Sequence, residues 1–264
     1  MVKYNITYFY SEGLPNDEGK DLKYCKESLT NNSKMFNNAT FYTPKILIDL
    51  GYEKFVKKYD VTFINKYYSH MCKVGLSSWK PLILLLELEK METGDILVYR
   101  DSDFHKYGVL SCYDNIIETI DKILSIVKFD FFISREAENL KVGEYTKPIV
   151  IKELGNDDMF IKEFPLLIAN FIIIRKSEIS IQFLNEWKDA CSIDKYIDGH
   201  MYDVFNNKFK HFSTNEQSIL GVIIANWVKN KKYNIPVNFP IIGFLDRNIN
   251  NIIYFNNYEY LKYL

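Results

Sequence analysis

Cysteine is scarce in this sequence of 264 residues, and neither sign of charge is in excess. The four cysteines, Cys25, Cys72, Cys112 and Cys191, are scattered and lack the CxxC or Cys/His spacing of zinc and redox sites. We therefore expect them to be reduced, mostly buried thiols. The 33 Lys and Arg against 34 Asp and Glu give a formal net charge of -1. A chain without a basic field does not attract the phosphates of duplex nucleic acid, so we expect no nucleic-acid partner.

Long apolar runs are also missing. The longest one, PLILLLELEKM, contains Glu87 and Glu89, which favours a buried helix and predicts no transmembrane segment. The first residues, MVKYNITYFYSEGLP, turn polar after a short strand-like run and lack the apolar region and cleavage site of a signal peptide. Frequent Asn, Lys, Ile and Tyr are typical of an AT-rich genome. We expect a cytoplasmic protein, in the host cytoplasm if the source is viral.

What the sequence does have is enough apolar material for a large core. Hydrophobic residues make up 47% and charged residues 25% of the chain, as in ordinary folded domains. Aromatic residues reach 16%, and their rings provide both burial and flat faces on which a sugar or a base can stack. Because no repeat or linker divides the chain, we expect one domain over residues 1–264.

Predicted strands and helices alternate along the chain. Runs of β-forming residues predict strands in NITYFY, VTFINKYY, DILVYR, FDFFIS and PLLIANFIIIRK. Helical spacing predicts helices in DLKYCKESLT, FYTPKILIDLGYEKFVKKY, WKPLILLLELEKM, YDNIIETIDKILSIV, SEISIQFLNEWKDAC and STNEQSILGVIIANWVKNK. Ser77 and Ser78 are candidate N-caps of the third of these helices, and Ser177 caps the fifth. This alternation predicts an α/β fold with a mostly parallel central sheet flanked by helices.

Two parts of the chain have weaker patterns. The segment from about Arg135 to Phe164 has mixed charge and little periodicity. We expect a long excursion over the active-site face, and the sequence does not predict its conformation. Near the end of the chain, IIGF and NIIYF predict edge strands or loops.

Two acidic residues, Asp101 and Asp103, directly follow the predicted strand DILVYR. Strands of such a sheet end at its ligand-binding edge, where residues two apart can direct both carboxylates around one ion. Hard oxygen ligands suit Mn²⁺ or Mg²⁺, ions that are usually shared with substrate phosphates. The alternative is a solvated acidic turn, because short motifs recur by chance.

Three stretches resemble, in the expected order, the GT-A family of nucleotide-sugar-dependent glycosyltransferases. WKPLILLLELEKMETGDILVYRDSD resembles the region in which a KP helix, a GDI turn and a strand precede the family's DxD motif. FPLLIANFIIIRKSEISIQFLNEWKDAC resembles its acceptor-side strand and helix, and STNEQSILGVI resembles its (D/E)QS helix. The resemblance implies a GT-A-like, Rossmann-like fold, with a nucleotide-sugar-binding half at 1–110 and an acceptor-side half at 111–264.

The implied activity is the transfer of a hexose from a UDP- or GDP-sugar to a carbohydrate or other hydroxyl acceptor, with Mn²⁺ or Mg²⁺ as cofactor. Asp101 and Asp103 fall on the DxD positions. The resemblance implies that Asp101 faces the ribose or the metal and that Asp103 binds the metal directly. His211, near the start of a predicted helix, could supply a third metal ligand or be part of a polar loop.

Three further residues are candidates for binding the donor. Lys80 could meet the diphosphate, or it could be a solvated lysine in the first turn of a helix. Arg100 could help with phosphate charge, or it could be an exposed cation at the end of a strand. Tyr8 could flank the nucleotide base, although aromatic residues of strands usually pack in a core.

Glu216 and Gln217 are the candidates for catalysis. By the resemblance they lie close to the acceptor or the reacting carbon, where Glu216 could act as a base or an electrostatic stabiliser. The alternative needs no catalysis, because Ser213 with Glu216, and Thr214 with Gln217, each fit the capping-box pattern. On the same acceptor side, Asn170 interrupts an apolar strand and lies in the acceptor pocket by family position, or is an amide satisfied by backbone groups.

Two other functions fit parts of the sequence. A HAD-type phosphohydrolase also places a DxD after an apolar strand and uses the first Asp as nucleophile. Its signature continues with a small residue and Thr, whereas Phe104 and His105 follow here. A non-catalytic carbohydrate-binding protein is favoured by the many aromatic residues and by the chance origin of short motifs.

Overall fold

The computed structural model describes 150 of the 264 residues, and all structural statements below concern that part. The described residues are 1–10, 34–57, 74–100, 117–118, 120–121, 124, 130–135, 140–197, 215–230, 241–242 and 254–255. Only the backbone is described at 134–135, 168, 170–171, 241–242 and 254–255. The predicted helix DLKYCKESLT and the predicted strand VTFINKYY lie outside these residues.

A five-stranded sheet organises the molecule, in the order β2-β1-β3-β5-β4. The strands β1, β2 and β3 are parallel, whereas β5 is antiparallel to both of its neighbours, β3 and β4. Four of the five strands therefore run in one direction, and the predicted mixed α/β fold with a mostly parallel sheet is confirmed. The strands are β1 (Tyr4–Phe9), β2 (Asn38–Tyr42), β3 (Ile96–Arg100), β4 (Phe131–Arg135) and β5 (Leu167–Arg175).

Both faces of the sheet are covered, which explains why β3 and β5 are apolar along most of their length. Side chains alternate along each strand, so Ile6 and Val98 point into a smaller core while Leu97 and Tyr99 point into a larger one. The larger core runs from Phe9 to Trp227. Parts of the predicted helix YDNIIETIDKILSIV are described as helical and pack on the smaller core.

Three long helices cover the larger core: α2 (Trp79–Glu89), α6 (Glu178–Cys191) and α8 (Glu216–Lys229). All three were predicted from their apolar spacing. Ser177 caps α6 as expected, with its hydroxyl accepting from the N–H of Ser180 at 3.1 Å. Ser78 is the N-cap residue of α2, but its hydroxyl donates to the carbonyl of Phe55 at 3.1 Å instead of capping the helix.

The segment from Arg135 to Phe164, for which no conformation was predicted, is largely helical in its described part. The segment forms three short helices, α3 (Val142–Tyr145), α4 (Pro148–Glu153) and α5 (Met159–Glu163), whose apolar residues enter the larger core. Helices of four to six residues make too few turns for a helical period to appear in the sequence.

The helical region predicted for FYTPKILIDLGYEKFVKKY consists of two short helical pieces. Its first residues complete β2, a short helix α1 (Pro44–Asp49) starts at the proline, and a 3-10 turn follows at Glu53–Val56. Gly51 separates the two with a φ of +84°, a left-handed conformation that ends the helix.

Two short strands end the described chain, and they lie within IIGF and NIIYF, for which edge strands or loops were predicted. They are β6 (Ile241–Ile242) and β7 (Tyr254–Phe255), and they pair with each other antiparallel. After α6, one further short helix, α7 (Asp194–Ile197), packs its Tyr196 and Ile197 into the larger core. Within the described ranges, no helix has the length and apolar character needed to cross a bilayer.

Strand β5 carries an irregularity that shapes the candidate site. Ile172 pairs with Ile133 of β4, but the next pair joins Ile168 to Ser134, so residues 169–171 have no partner on β4. On its other side, Phe171 pairs with Arg100, the last residue of β3. We call residues 169–171 the β5 bulge.

Candidate functional site

The parallel strands β1, β2 and β3 end at one edge of the sheet, where ligands bind in folds of this class. We call this edge, marked by Phe9, Tyr42 and Arg100, the carboxyl edge. Helix α2 begins there, because the ring of its first residue, Trp79, stacks on Phe9 with ring centroids 3.6 Å apart. The β5 bulge lies at the same edge, beside the end of β3. Bulges are frequent next to active sites.

Lys80, in the first turn of α2, is buried at this edge. Its Nζ donates to the carbonyl oxygen of Ala169 at 2.9 Å and to Oε1 of Glu216 at 3.1 Å. It also lies 5.2 Å from the ring centroid of Tyr99 and 5.8 Å from that of Trp79. The side chain is only 4% exposed, so the solvated lysine considered from the sequence is wrong. Lys80 is buried because α2 is enclosed on nearly every side.

Glu216 is the first residue of α8, and its side chain is 9% exposed. The N-cap residue is Asn215, with a φ of +50° and no side-chain cap hydrogen bond. A capping box needs Glu or Gln at the third helical position, and in α8 that position is Ser218. Glu216 and Gln217 occupy the first and second helical positions, and Ser213 and Thr214 of the capping-box alternative lie outside the described residues. The side chains of Glu216 and Gln217 bind groups outside α8.

The two helices α2 and α8 both bind the backbone of Ala169 in the β5 bulge. Oε1 of Gln217 accepts from the N–H of Ala169 at 3.0 Å, and Lys80 donates to its carbonyl. A third helix, α6, joins through Trp187, whose Nε1 donates to the carbonyl oxygen of Glu216 at 2.9 Å. Three helices and the β5 bulge thus fix one lysine and one carboxylate at the carboxyl edge. We call Lys80, Ala169, Glu216 and Gln217 the buried ionic cluster.

The electrostatics of the buried ionic cluster follow from its burial. An unpaired buried charge is very unfavourable, so each charge depends on the other and on their hydrogen bonds. Cys191, at the end of α6, lies within electrostatic range of both. Burial raises the pKa of the Cys191 thiol, and the Glu216 carboxylate raises it further against the opposing effect of Lys80. Cys191 is a buried free thiol, as predicted, and it is an unreactive one.

Two predicted donor-binding residues lie on the opposite face of the sheet. Tyr8 is 1% exposed and packs in the smaller core. Arg100 follows Ile96 and Val98 in the alternation of β3, which places it on that same face. It is 5% exposed, so the exposed cation considered from the sequence is wrong. The structure does not bring these two residues together with Lys80 and Glu216.

Sequence reasoning missed two members of this arrangement. Ala169 takes part through its peptide groups, which carry no side-chain signal. Trp187 was visible only as part of a helical motif, and its hydrogen bond to the start of α8 spans 29 residues of sequence. The backbone of Asn170 lies within the β5 bulge.

The predicted metal ligands Asp101, Asp103 and His211 lie outside the described residues. Asp101 directly follows Arg100 in sequence, so the acidic pair begins where β3 leaves the carboxyl edge. Within the described part of the chain, no group of three or more His, Cys, Asp or Glu side chains could hold a metal ion.

Comparison with known protein families and with curated proteins gave no match for this chain.

Proposed function

We propose that this chain is a metal-dependent glycosyltransferase of the GT-A type. It transfers a hexose from a UDP- or GDP-sugar to a hydroxyl group of a carbohydrate or similar acceptor. One observation carries the proposal: the buried ionic cluster lies at the carboxyl edge, and its Lys80 contacts the ring of Tyr99, two residues before Asp101. The resemblance of three ordered sequence stretches to GT-A enzymes supports the same function.

In this proposal Asp101 and Asp103 hold Mn²⁺ or Mg²⁺, with His211 as a third ligand. Two carboxylates are the hard oxygen donors that these ions prefer. Held by these residues, such an ion would supply positive charge against the leaving nucleoside diphosphate. Arg100 is buried, and it directly precedes the acidic pair in the sequence. It adds positive charge at the same end of β3.

Glu216 acts on the acceptor side. The acceptor oxygen forms a bond to the anomeric carbon while the bond from that carbon to the diphosphate oxygen breaks. Glu216 takes the proton of the acceptor hydroxyl, or its negative charge stabilises the positive charge that develops on the sugar. Gln217 contributes indirectly, because its side chain holds the β5 bulge next to Glu216.

The test is a thermal-shift screen of UDP- and GDP-hexoses with and without Mn²⁺. A ligand that binds only the folded state raises its apparent stability, by about 2.7 kcal/mol at a hundred times Kd. We expect at least one donor to raise Tm only when the metal is present, and to be turned over to free nucleoside diphosphate. Asp101→Ala and Asp103→Ala should abolish the shift and lower turnover by about 100-fold or more.

Asp189→Ala is the matched control, because it removes an exposed carboxylate from α6, far along the chain from the acidic pair. It should leave both measurements unchanged. Release of phosphate from an aryl phosphate that is lost in Asp101→Asn would instead show a phosphohydrolase. Sugar binding that survives both Asp101→Ala and Asp103→Ala, without turnover, would show a non-catalytic carbohydrate-binding protein.

A further inference from the structure

The ammonium group of Lys80 is enclosed by protein. Two hydrogen bonds take it to the Ala169 carbonyl and to Glu216, and the Trp79 and Tyr99 rings lie within 6 Å of it. A lysine that binds a diphosphate must present its charge to the ligand. Here that charge is already matched by a buried carboxylate, which makes Lys80 a poor donor ligand.

We propose that Lys80 is a positioning residue for Glu216. It holds the Glu216 carboxylate ionised and fixed at the carboxyl edge, and it does not contact the nucleotide sugar. This inference rests on the proposed function, and it assigns Lys80 a different place in the reaction from the donor-binding role that the sequence predicts.

The reason lies in how the ammonium group itself is fixed. Its hydrogen bond to Ala169 ties it to the backbone of the β5 bulge, which cannot rotate away as a side chain can. Gln217, next to Glu216 on α8, binds the N–H of the same alanine. The first turn of α8 is therefore attached to the bulge at two points, one direct and one through Lys80, and the Trp187 bond to the Glu216 carbonyl ties the same turn to α6.

The inference predicts that loss of Lys80 affects turnover and leaves donor binding intact. In Lys80→Met, we expect kcat to fall by about 100-fold or more, the scale of a lost acid–base or electrostatic contribution. The KM for the nucleotide sugar should stay within about twofold of the wild-type value. The rise in Tm caused by UDP or GDP with Mn²⁺ should also stay within about twofold of the rise seen in the wild type. Lys80→Arg keeps the positive charge and should recover part of kcat.

Helix α2 offers a matched control. At its other end, Lys90 binds the buried carboxylate of Glu87 at 2.7 Å, in an ion pair between residues three apart. Lys90→Met also takes a lysine away from a buried carboxylate, but at a site away from the β5 bulge. It should leave kcat and KM unchanged, whatever it does to Tm.

Lys80→Met leaves a carboxylate without its buried partner, and such changes often prevent folding. The double variant Lys80→Met with Glu216→Gln removes both charges, so it should fold. It should also be as slow as Glu216→Gln alone, with donor binding intact.

Three results would overturn the inference. Loss of the metal-dependent nucleotide shift in Lys80→Met, or a large rise in donor KM with kcat unchanged, would make Lys80 a donor ligand. If the double variant Lys80→Met with Glu216→Gln kept the wild-type kcat, the ion pair between Lys80 and Glu216 would have only a structural role. If the wild-type protein neither binds nor turns over any nucleotide sugar, the proposed function itself fails and this inference falls with it, a case identified before any variant is made.

Discussion

Gly75 shows how a single residue without a side chain helps to place the candidate site. It lies in the 3-10 turn Gly75–Ser77 just before α2, where Gly75, Leu76 and Ser77 all have positive φ. Backbone strain of this kind persists only where the surroundings fix it, and it is often found next to functional sites. Here the Trp79 indole donates to the carbonyl of Val74 at 3.1 Å and fixes the turn from which Lys80 starts.

We predict that Gly75→Ala destabilises the protein strongly. A Cβ at this position would lie 1.9 Å from the carbonyl oxygen of Phe55, which is backbone and cannot move aside alone. Gly51→Ala is the matched control, because its φ is also positive but nothing lies within 4 Å of a Cβ there. We expect a loss of about 1–2 kcal/mol for the control and of about 4 kcal/mol or more for Gly75→Ala, measured by denaturant unfolding. Equal losses would contradict the clash.

At the same scale, the sequence identified Lys80 and Glu216 separately but could not pair them. They are 136 residues apart, and local periodicity carries no information about contacts over that distance. The burial of Lys80 also depends on such distant contacts. A first-turn lysine is solvated by default, and only the packing of α6, α8 and β5 around α2 removes it from water.

Among the elements, length and regularity decided what could be predicted. The helices α6 and α8 each have 14 residues, long enough for the apolar period to repeat. The three helices between β4 and β5 are too short for that. The antiparallel direction of β5 was not predictable either, since a strand buried on both faces is a continuous apolar run in either direction.

We predict that Ser177→Ala weakens the start of α6. The Ser177 hydroxyl accepts from the N–H of Ser180 and donates to Oδ2 of Asp130 at 2.6 Å, so it joins the helix to the residue before β4. Loss of an N-cap costs about 1 kcal/mol, and up to about 2 where a second bond is lost with it. The comparison is Ser192→Ala at the other end of α6, whose exposed hydroxyl binds only a local carbonyl. We expect Ser192→Ala to lower the free energy of unfolding by less than about 0.5 kcal/mol. If urea unfolding shows a larger loss for Ser192→Ala than for Ser177→Ala, the capping role of Ser177 is refuted.

At the scale of the whole molecule, one core joins the two halves that the resemblance distinguishes. The larger core takes residues from Phe9 to Trp227, and the buried ionic cluster links Lys80 of the first half to Glu216 of the second. A change at the cluster therefore acts on the packing of both halves. For this reason the tests of Lys80 measure Tm, which reports stability, and kcat, which reports turnover, as separate quantities.

The acid stability of the molecule should depend on Asp158, which joins α5 to the end of α8. Its carboxylate caps α5 by accepting from the N–H of Phe160 at 2.8 Å, and it also binds Lys229. The hydrogen bond from Lys229 lowers the pKa of the Asp158 carboxyl below its ordinary value. A carboxyl with a lower pKa in the folded state stabilises the protein above the unfolded pKa of about 4, and the contribution is lost as the pH falls through the folded pKa.

We predict that Asp158→Asn, which keeps an oxygen to cap α5 but loses the charge, lowers the free energy of unfolding at neutral pH by less than about 1 kcal/mol, because the ion pair is partly exposed. The difference from the wild type should shrink as the pH falls below about 4 and vanish once the wild-type carboxyl is protonated. Asp189→Asn, which removes an exposed carboxylate from α6, controls for the change in net charge. Chemical denaturation at a series of pH values measures all three proteins. If the Asp158→Asn difference stays constant down to about pH 2, the charge of Asp158 is not its cause.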